Sequence, residues 1–188
     1  MKKSLGPKSL LYPSSILVVG TYDKAGRDNF ATVALGGIVC GKPPCVGISL
    51  RKATYTYGNI LERKAFTVNI ASEDHMKEVD YCGIVSGKER NKLAATGLTA
   101  IRSDLVDAPY IREFPFALEC LLLNTVEIGR HTQFIGEIKD IKADEDILDE
   151  KGLPDMEKLR PLVYTIEVRK YYGLGPFLGK AFSIGKDI

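Results

Sequence analysis

Cysteine and histidine are scarce in this sequence of 188 residues, which has four cysteines and two histidines. The cysteines lack a CxxC pair and the close Cys/His spacing of a zinc site. We therefore expect no metal site, and we interpret the cysteines as reduced thiols in or near a hydrophobic core. They are Cys40, Cys45, Cys82 and Cys120, of which only Cys82 is kept open for a functional role.

Long apolar runs and an excess of one charge are also missing. No segment approaches the roughly 20 apolar residues that span a bilayer, so we expect no membrane-spanning helix. The first residues, MKKSLGPKSLLYP, are interrupted by Gly6, Pro7 and Lys8 before the apolar region of a signal peptide can form, and we expect a cytoplasmic protein. The 26 basic and 24 acidic residues are interleaved along the chain, so nucleic acid is not expected as a partner.

Short apolar runs that end at turn residues dominate the rest of the chain. The run SILVVGTY stops at the turn DKAG and the chain resumes in NFATVALGGIV, which predicts a hairpin. Further strands are predicted in PPCVGISL, AFTVNI, FALECLLLNTVEI, TQFIGEIKDIKA and LVYTIEVRKYY. In TQFIGEIKDIKA the alternation of polar and apolar residues is partial and does not show which face is buried.

Helices are expected to be few and short. One is predicted to begin near Thr54, and another to lie in EDHMKEVDYC. A third is predicted to open with a capping box from Ser86 to Glu89 and to end at Gly97. Many strands with a few helices packed outside them indicate a mainly β fold, a barrel, and we expect residues 1–188 to form a single domain.

Hydroxyl and basic side chains are concentrated in SLRKATYTYGNI, directly after the apolar run CVGI. If Thr54 begins a helix, the free N–H groups of its first turn lie beside Ser49, Arg51 and Lys52. A phosphate monoester fits such a site best, because a guanidinium, hydroxyls and helix N–H groups can all donate to its oxygens. The alternative is a capped helix with a solvated basic entry.

Small residues are concentrated in NFATVALGG. Ala31, Ala34, Gly36 and Gly37 would let the strand backbone approach a planar ring, and Thr32 could hydrogen-bond the polar edge of that ring. The alternative is an inner barrel strand that uses small residues for curvature.

Six segments in a fixed order carry a resemblance to a known family. They are LYPSSILVVGTYDKAGRDNFATVALGG, GKPPCVGISLRKATYTYGNI, AFTVNI, DYCGIVSGKERNKLAATGL, ALECLLLNTVEIGRHTQFIGEI and YYGLGPFLGKAFSIGK. Over nearly its whole length the chain resembles the flavin reductase-like, flavoredoxin-type family of FMN-binding split barrels. Many members have a tryptophan or another aromatic residue where this chain has Leu35, which predicts a more open outer face of the flavin ring.

The resemblance implies a split β-barrel of the Greek-key type and a set of FMN-binding residues. Those implied to line the isoalloxazine ring and ribityl chain are Asn29, Ala31, Thr32, Val33 and Ala34. Those implied at the ribityl chain and phosphate are Ser49, Leu50, Arg51, Thr54 and Tyr57. The following segment is implied to contribute Cys82, Ser86, Gly87 and Lys92.

The resemblance also implies an activity, in which a hydride passes from NADH or NADPH to N5 of FMN. The electrons then go to free flavin, ferric iron or a partner protein. His131 is implied to lie near the nicotinamide, the alternative being an exposed turn histidine. A homodimer is implied, with the tail YYGLGPFLGKAF contributing to its interface. Two other functions remain open: an FMN-binding electron carrier that does not oxidise NAD(P)H directly, and a flavin- or haem-binding module without turnover.

Overall fold

The structure, a computed structural model, describes residues 1–186 and is mainly β. Within these residues there are four α-helices, which are α1 (Tyr55–Arg63), α2 (Met76–Ile84), α3 (Lys92–Thr96) and α4 (Met156–Leu159). Two short 3-10 helices cover Glu73–His75 and Glu145–Ile147. The strands are β1 (Ser14–Ser15), β2 (Leu17–Tyr22), β3 (Asp28–Val33), β4 (Gly36–Gly41), β5 (Pro44–Arg51), β6 (Ala65–Ile70), β7 (Ala100–Arg102), β8 (Pro109–Ile111), β9 (Phe116–Ile128), β10 (His131–Ala143), β11 (Val163–Thr165) and β12 (Lys170–Tyr172).

The largest sheet is closed by one continuous stretch of chain. Its strand order is β3-β2-β6-β9-β10-β5-β4, and its neighbouring strands are antiparallel. β3 and β4 lie at opposite edges of this order, yet only Ala34 and Leu35 separate them in sequence. The amide of Ser49 on β5 donates to the carbonyl of Leu35 at 2.8 Å. The sheet therefore curves round until its two edges meet at Leu35, and the predicted strand NFATVALGGIV is two strands that pair with different partners.

Alternate residues of each strand fill the interior of this barrel. Val19 on β2 contributes to the interior cluster, whereas its neighbour Val18 packs outside, because successive side chains of a strand point to opposite faces. The interior cluster contains Leu17, Val19, Val33, Val46, Ile48, Leu50, Ile60, Phe66, Val68, Leu118, Cys120 and Phe134. The outer cluster fixes α2 against the sheet and contains Ile16, Val18, Phe30, Ala71, Val79, Cys82, Leu98, Ile111, Phe114 and Leu162.

Two of the three predicted helices are confirmed, and the third begins later than predicted. α1 follows Thr54, and α2 lies in EDHMKEVDYC and the two residues after it. α3 begins at Lys92 because the side chain of Asn91, rather than that of Ser86, caps it by accepting from the amide of Ala94. Ser86 instead accepts from the amide of Lys88 in a turn. The predicted end is correct, since Gly97 follows the last turn with φ of 74°.

The predicted strand LVYTIEVRKYY is also divided, because it folds back on itself as the hairpin of β11 and β12. The cysteine prediction holds for three residues, since Cys45, Cys82 and Cys120 are buried free thiols, but Cys40 is exposed. None of the helices found in residues 1–186 is long and apolar enough to span a membrane.

Asn69 joins three elements of the sheet system and is fully buried. Its Nδ2 donates to the carbonyl of Val18 and to Oγ1 of Thr67, both at 2.9 Å, and its Oδ1 accepts from the amide of Ile111 at 2.9 Å.

The substitution Asn69→Ala leaves buried groups of β2 and β8 unpaired. We expect it to lower the free energy of unfolding in urea by about 2 to 4 kcal/mol. The exposed Asn124→Ala serves as control, with a change within about 0.5 kcal/mol; equal effects of the two substitutions would contradict the assignment.

Candidate functional site

A cavity of about 390 Å³ opens where the barrel closes, between β3 and the end of β5. Its volume lies in the range of roughly 300–1,000 Å³ that is typical of small-molecule sites. The remaining walls come from the start of α1, the end of α2, the turn after α2 and the start of β10. The lining residues are Asn29, Ala31, Thr32, Val33, Ala34, Leu35, Ser49, Leu50, Arg51, Ala53, Thr54, Tyr55, Thr56, Cys82, Gly83, Ile84, Val85, Ser86, Gly87, Lys92 and His131.

All of the predicted site residues except Tyr57 line this cavity. Tyr57 packs edge-on against Phe134, with ring centroids 5.3 Å apart, and borders the barrel interior. Its position in α1 turns it away from the cavity wall that Thr54 and Tyr55 form. Tyr55 and Thr56 were not predicted, although they belong to the same hydroxyl-rich stretch. The other lining residues that were not assigned are Leu35, Ala53, Gly83, Ile84 and Val85.

Asn29 forms a buried hydrogen-bond network at one side of the cavity. Its Nδ2 donates to Oγ1 of Thr56 at 2.9 Å and to Oγ1 of Thr21 at 3.2 Å. Its Oδ1 is buried and finds no donor among the described residues. Gly87 passes directly over this oxygen, because a Cβ atom at position 87 would lie 2.0 Å from it. This acceptor is therefore covered by Gly87 and lacks a donor among the described residues.

Lys92 is a buried cation at the wall between β3 and α2. Its Nζ donates to the carbonyls of Phe30 at 2.6 Å and of Cys82 at 2.8 Å, which leaves one of its three donors free of these bonds. Burial lowers the pKa of Lys92. Burial also raises the pKa of the Cys82 thiol to about 11, although the nearby Lys92 opposes this shift. Burial therefore favours the protonated thiol of Cys82 at neutral pH.

The hydroxyls around the cavity are engaged in different ways. Thr32 donates its hydroxyl to the carbonyl of Val79, and Thr54 donates to the carbonyl of Arg51. Both side chains therefore offer the cavity an acceptor rather than a donor. Since Thr54 makes no side-chain cap, the N–H groups of the first turn of α1 stay available to a ligand beside Arg51. Ser86 and Gly87 lie in a turn, so the predicted second helix N-terminus does not form there.

Asp23 fixes Tyr55, which forms one wall of the cavity. Tyr55 donates its hydroxyl to Oδ2 of Asp23 at 2.7 Å, and Nε of Arg27 donates to the same oxygen at 2.6 Å. Oδ1 accepts from the amides of Ala25 and Arg27. Burial by itself would raise the pKa of Asp23, but these hydrogen bonds outweigh it and hold the pKa at about 2. The carboxylate is thus ionised in the folded protein at every ordinary pH.

Residues 9–174 match the flavin reductase like domain, which covers most of the chain. The chain belongs to this family. The resemblance that the six sequence segments carried is therefore confirmed, and so is the fold, since members of the family that have been solved are split barrels.

Solved structures resemble this chain over most or all of its length. Flavoredoxin of Desulfovibrio vulgaris (Miyazaki F) is 50% identical, with a TM-score of 0.95 over 99% of this chain and 100% of that one. A split barrel protein from Shewanella frigidimarina is 22% identical, with a TM-score of 0.81 over 90% of this chain and 85% of that one, and shows the shared fold.

Among relatives found by sequence, a protein of Archaeoglobus fulgidus is 33% identical over 114 residues, or 61% of this chain and 63% of that protein.

The depressed pKa of Asp23 predicts an acid-dependent loss of stability. The folded value of about 2 lies below the ordinary 3.8, so the stabilising contribution is complete above about pH 4 and is lost as the pH falls toward 2. We expect Asp23→Asn to be less stable than the native protein at pH 6, and the difference to shrink between pH 4 and 2 in urea unfolding.

Asp28→Asn is the matched control for this prediction. Burial raises the pKa of Asp28, so its ionised form is penalised in the folded protein. Relative to this variant the native protein should gain stability as the pH falls, which is the opposite sign. A difference for Asp23→Asn that stays constant from pH 6 to pH 2 would show that the Asp23 carboxyl is not held ionised.

Proposed function

We propose that this protein is an FMN-dependent oxidoreductase that accepts a hydride from NADH or NADPH and passes electrons to free flavin, ferric iron or a partner protein. The observation that carries the proposal is the cavity at the barrel closure, which joins an anion-binding end to a wall of small residues in a flavin reductase-like protein. Both ends suit FMN, which has a phosphate at one end and a planar ring at the other.

The phosphate end is built from the last residue of β5 and the start of α1. Arg51 contributes a guanidinium, Ser49 contributes a hydroxyl donor, and the uncapped first turn of α1 contributes N–H donors. Thr54 lines this end, but its hydroxyl donates to the carbonyl of Arg51. A phosphate dianion uses such donors together, because each forms a charge-assisted hydrogen bond with one of its oxygens. We assign Arg51 the main role in holding the phosphate.

The ring end is built from β3 and the closing residues. Ala31 and Ala34 keep the side chains short along the strand, and Val33 and Leu35 add an apolar surface. Asn29 joins β3 to α1 through Thr56, and Lys92 places a positive charge at the wall. Bound FMN would supply reversible two-electron chemistry at its ring, while these residues position it, exclude water from one side and favour negative charge.

His131 lines the cavity and lies directly across the sheet from Arg51. The two residues are paired between β10 and β5, so the register of these strands holds both side chains on the cavity face of the sheet. We assign His131 the role of orienting the carboxamide of a nicotinamide over the ring. Arg130 precedes it at the turn, is exposed and does not line the cavity.

We also propose a homodimer that uses the C-terminal tail. Large apolar side chains of the tail are exposed, among them Phe177, Leu178, Phe182 and Ile184. An exposed apolar group of this kind is typical of a protein–protein interface. A second copy of the chain would remove these side chains from water.

One alternative function has support of its own. The 50% identity to a flavoredoxin favours an electron carrier that holds FMN but exchanges electrons with proteins rather than with NAD(P)H. The same cavity serves both functions, because both need FMN held with one face accessible. A non-catalytic flavin- or haem-binding module is the third possibility, and it predicts no reduction of bound flavin by a nicotinamide.

Anaerobic reduction separates the reductase from the two alternatives. We expect the FMN-loaded protein to lose its yellow colour on addition of NADH or NADPH without oxygen. Reduction by dithionite alone would instead indicate the electron carrier or a flavin-binding module without turnover. A protein without affinity for flavin would exclude the reductase and the electron carrier.

We expect His131→Ala to slow the reduction by a nicotinamide about tenfold or more, while the dissociation constant for FMN changes less than about twofold. His75→Ala, at the other histidine, is the control and should reduce at the native rate.

Arg51→Ala tests the orientation of FMN in the cavity. Loss of a charge-assisted bond of about 1.5 to 3 kcal/mol should weaken FMN about 10- to 100-fold in a fluorescence titration, while riboflavin, which has no phosphate, binds as before. Lys52→Ala is the neighbouring control, because Lys52 pairs with Glu127 at 2.8 Å and does not line the cavity. An equal loss of affinity for FMN and riboflavin in Arg51→Ala would refute the assignment.

A further inference from the structure

Two of the four cysteines lie directly opposite each other in a β-hairpin. β4 and β5 are joined by Lys42 and Pro43, and the register pairs Gly41 with Pro44 and then Cys40 with Cys45. Opposite residues of antiparallel strands have Cα atoms about 4.5 to 5.5 Å apart, and their side chains lie on the same face. Disulfides join residues whose Cα atoms are about 4.4 to 6.8 Å apart, so the backbone already places this pair within range.

Cys40 and Cys45 differ in their exposure to solvent, and this difference determines which thiol reacts first. Cys40 is exposed, whereas Cys45 is 2% exposed. Burial, followed by the proximity of Cys40 and Glu137, raises the pKa of the Cys45 thiol. A dissolved oxidant therefore meets Cys40 first, and Cys45 is placed to react with the sulfur of Cys40 rather than with the oxidant itself.

The hairpin also predicts that a bond between these cysteines is easily reduced. Opposite Cβ atoms of antiparallel strands are about 4.5 to 5.5 Å apart, compared with about 3.8 Å in an average disulfide. To form the bond, β4 and β5 must move closer together at this pair. The resulting strain makes a disulfide more reducible. The register shift between Ile38 and Cys40 gives β4 an irregular segment in which this movement can take place.

We propose that Cys40 and Cys45 form a reversible dithiol–disulfide site that reacts with small-molecule disulfides. The Cys40 thiolate attacks one sulfur of glutathione disulfide, whose S–S bond breaks and releases one glutathione. Cys45 then gives up its proton and attacks the sulfur of Cys40, which releases the second glutathione. Two cysteine thiols are oxidised to one disulfide, and one glutathione disulfide is reduced to two thiols, so the exchange balances at two electrons.

This site is independent of the proposed flavin chemistry, although it belongs to strands that reach the cavity. β4 begins directly after Leu35, and β5 ends with Ser49, Leu50 and Arg51, all of which line the cavity. The disulfide would therefore join β4 and β5 next to the turn that connects them. The opposite ends of these two strands adjoin the proposed FMN site.

The test is a count of thiols in the native protein. The protein is incubated with excess glutathione disulfide, quenched in acid, denatured and alkylated, and its mass is measured before and after treatment with dithiothreitol. We expect the number of alkylated thiols to fall from four to two and to return to four after reduction. Peptide mapping should place the bond between Cys40 and Cys45, while Cys82 and Cys120, whose pKa values burial raises to about 11 and about 12, stay reduced.

Two single variants keep the proposal falsifiable. Cys45→Ser removes the second thiol, so we expect a stable mixed disulfide with glutathione on Cys40 that the native protein does not accumulate. Cys40→Ser removes the exposed thiol, so we expect three unmodified thiols under the same conditions. The proposal is overturned if the native protein keeps four thiols, retains glutathione on Cys40, or forms its disulfide between two chains or with another cysteine.

Discussion

The closure of the barrel at Ala34 and Leu35 is the constraint on which the rest of this structure depends. A sheet edge carries unpaired N–H and C=O groups, and here one stretch of chain forms both edges, as β3 beside β2 and β4 beside β5. Because β3 leaves one edge and β4 enters the other within two residues, the end of β5 is brought beside β3. The small residues of one strand and the basic end of another meet only for this reason. The cavity is thus a consequence of how the sheet closes.

A second group of contacts holds α2 against β3 and gives the cavity its other wall. Lys92 bonds the carbonyls of Phe30 on β3 and Cys82 on α2, so one buried ammonium links the strand to the helix. Thr32 donates to the carbonyl of Val79, and a Cβ atom at Gly83 would lie 3.2 Å from Cβ of Thr32. A buried cation is tolerated where hydrogen bonds replace its hydration, which these carbonyls do. The charge therefore serves the packing of the wall as well as any anion in the cavity.

The strands with strong apolar runs between turn residues could be predicted from the sequence, and AFTVNI coincides with β6. Pairing partners could not, because a run such as NFATVALGGIV does not show that its halves lie at opposite edges. The buried face of β10 was not assignable for a related reason. Two register shifts, between Ile135 and Gly136 and between Ile138 and Asp140, break the alternation that the pattern relies on.

The cavity brings together all of the residues that the family resemblance indicated except Tyr57. Motif matching places Tyr57 in the right segment but does not give the rotation of α1, which directs its ring to Phe134. The hydrogen-bond partners of the cavity hydroxyls could not be predicted from the sequence either. Thr32 and Thr54 donate to carbonyl groups that only the folded backbone brings close to them. The family resemblance thus indicated which residues surround the cavity, and tertiary packing determined which of their atoms face it.

Leu35 takes part in closing the barrel and also lines the cavity in which the proposed electron donor would meet the flavin. Its carbonyl makes the closing hydrogen bond, while its side chain is 39% exposed beside the cavity. An aliphatic side chain covers less surface than an aromatic ring, so a ring held against β3 keeps an accessible outer face. In the proposed function that face would be open to a nicotinamide and to a protein partner alike. The proposed choice between them then rests on His131, which the pairing of β10 with β5 fixes opposite Arg51.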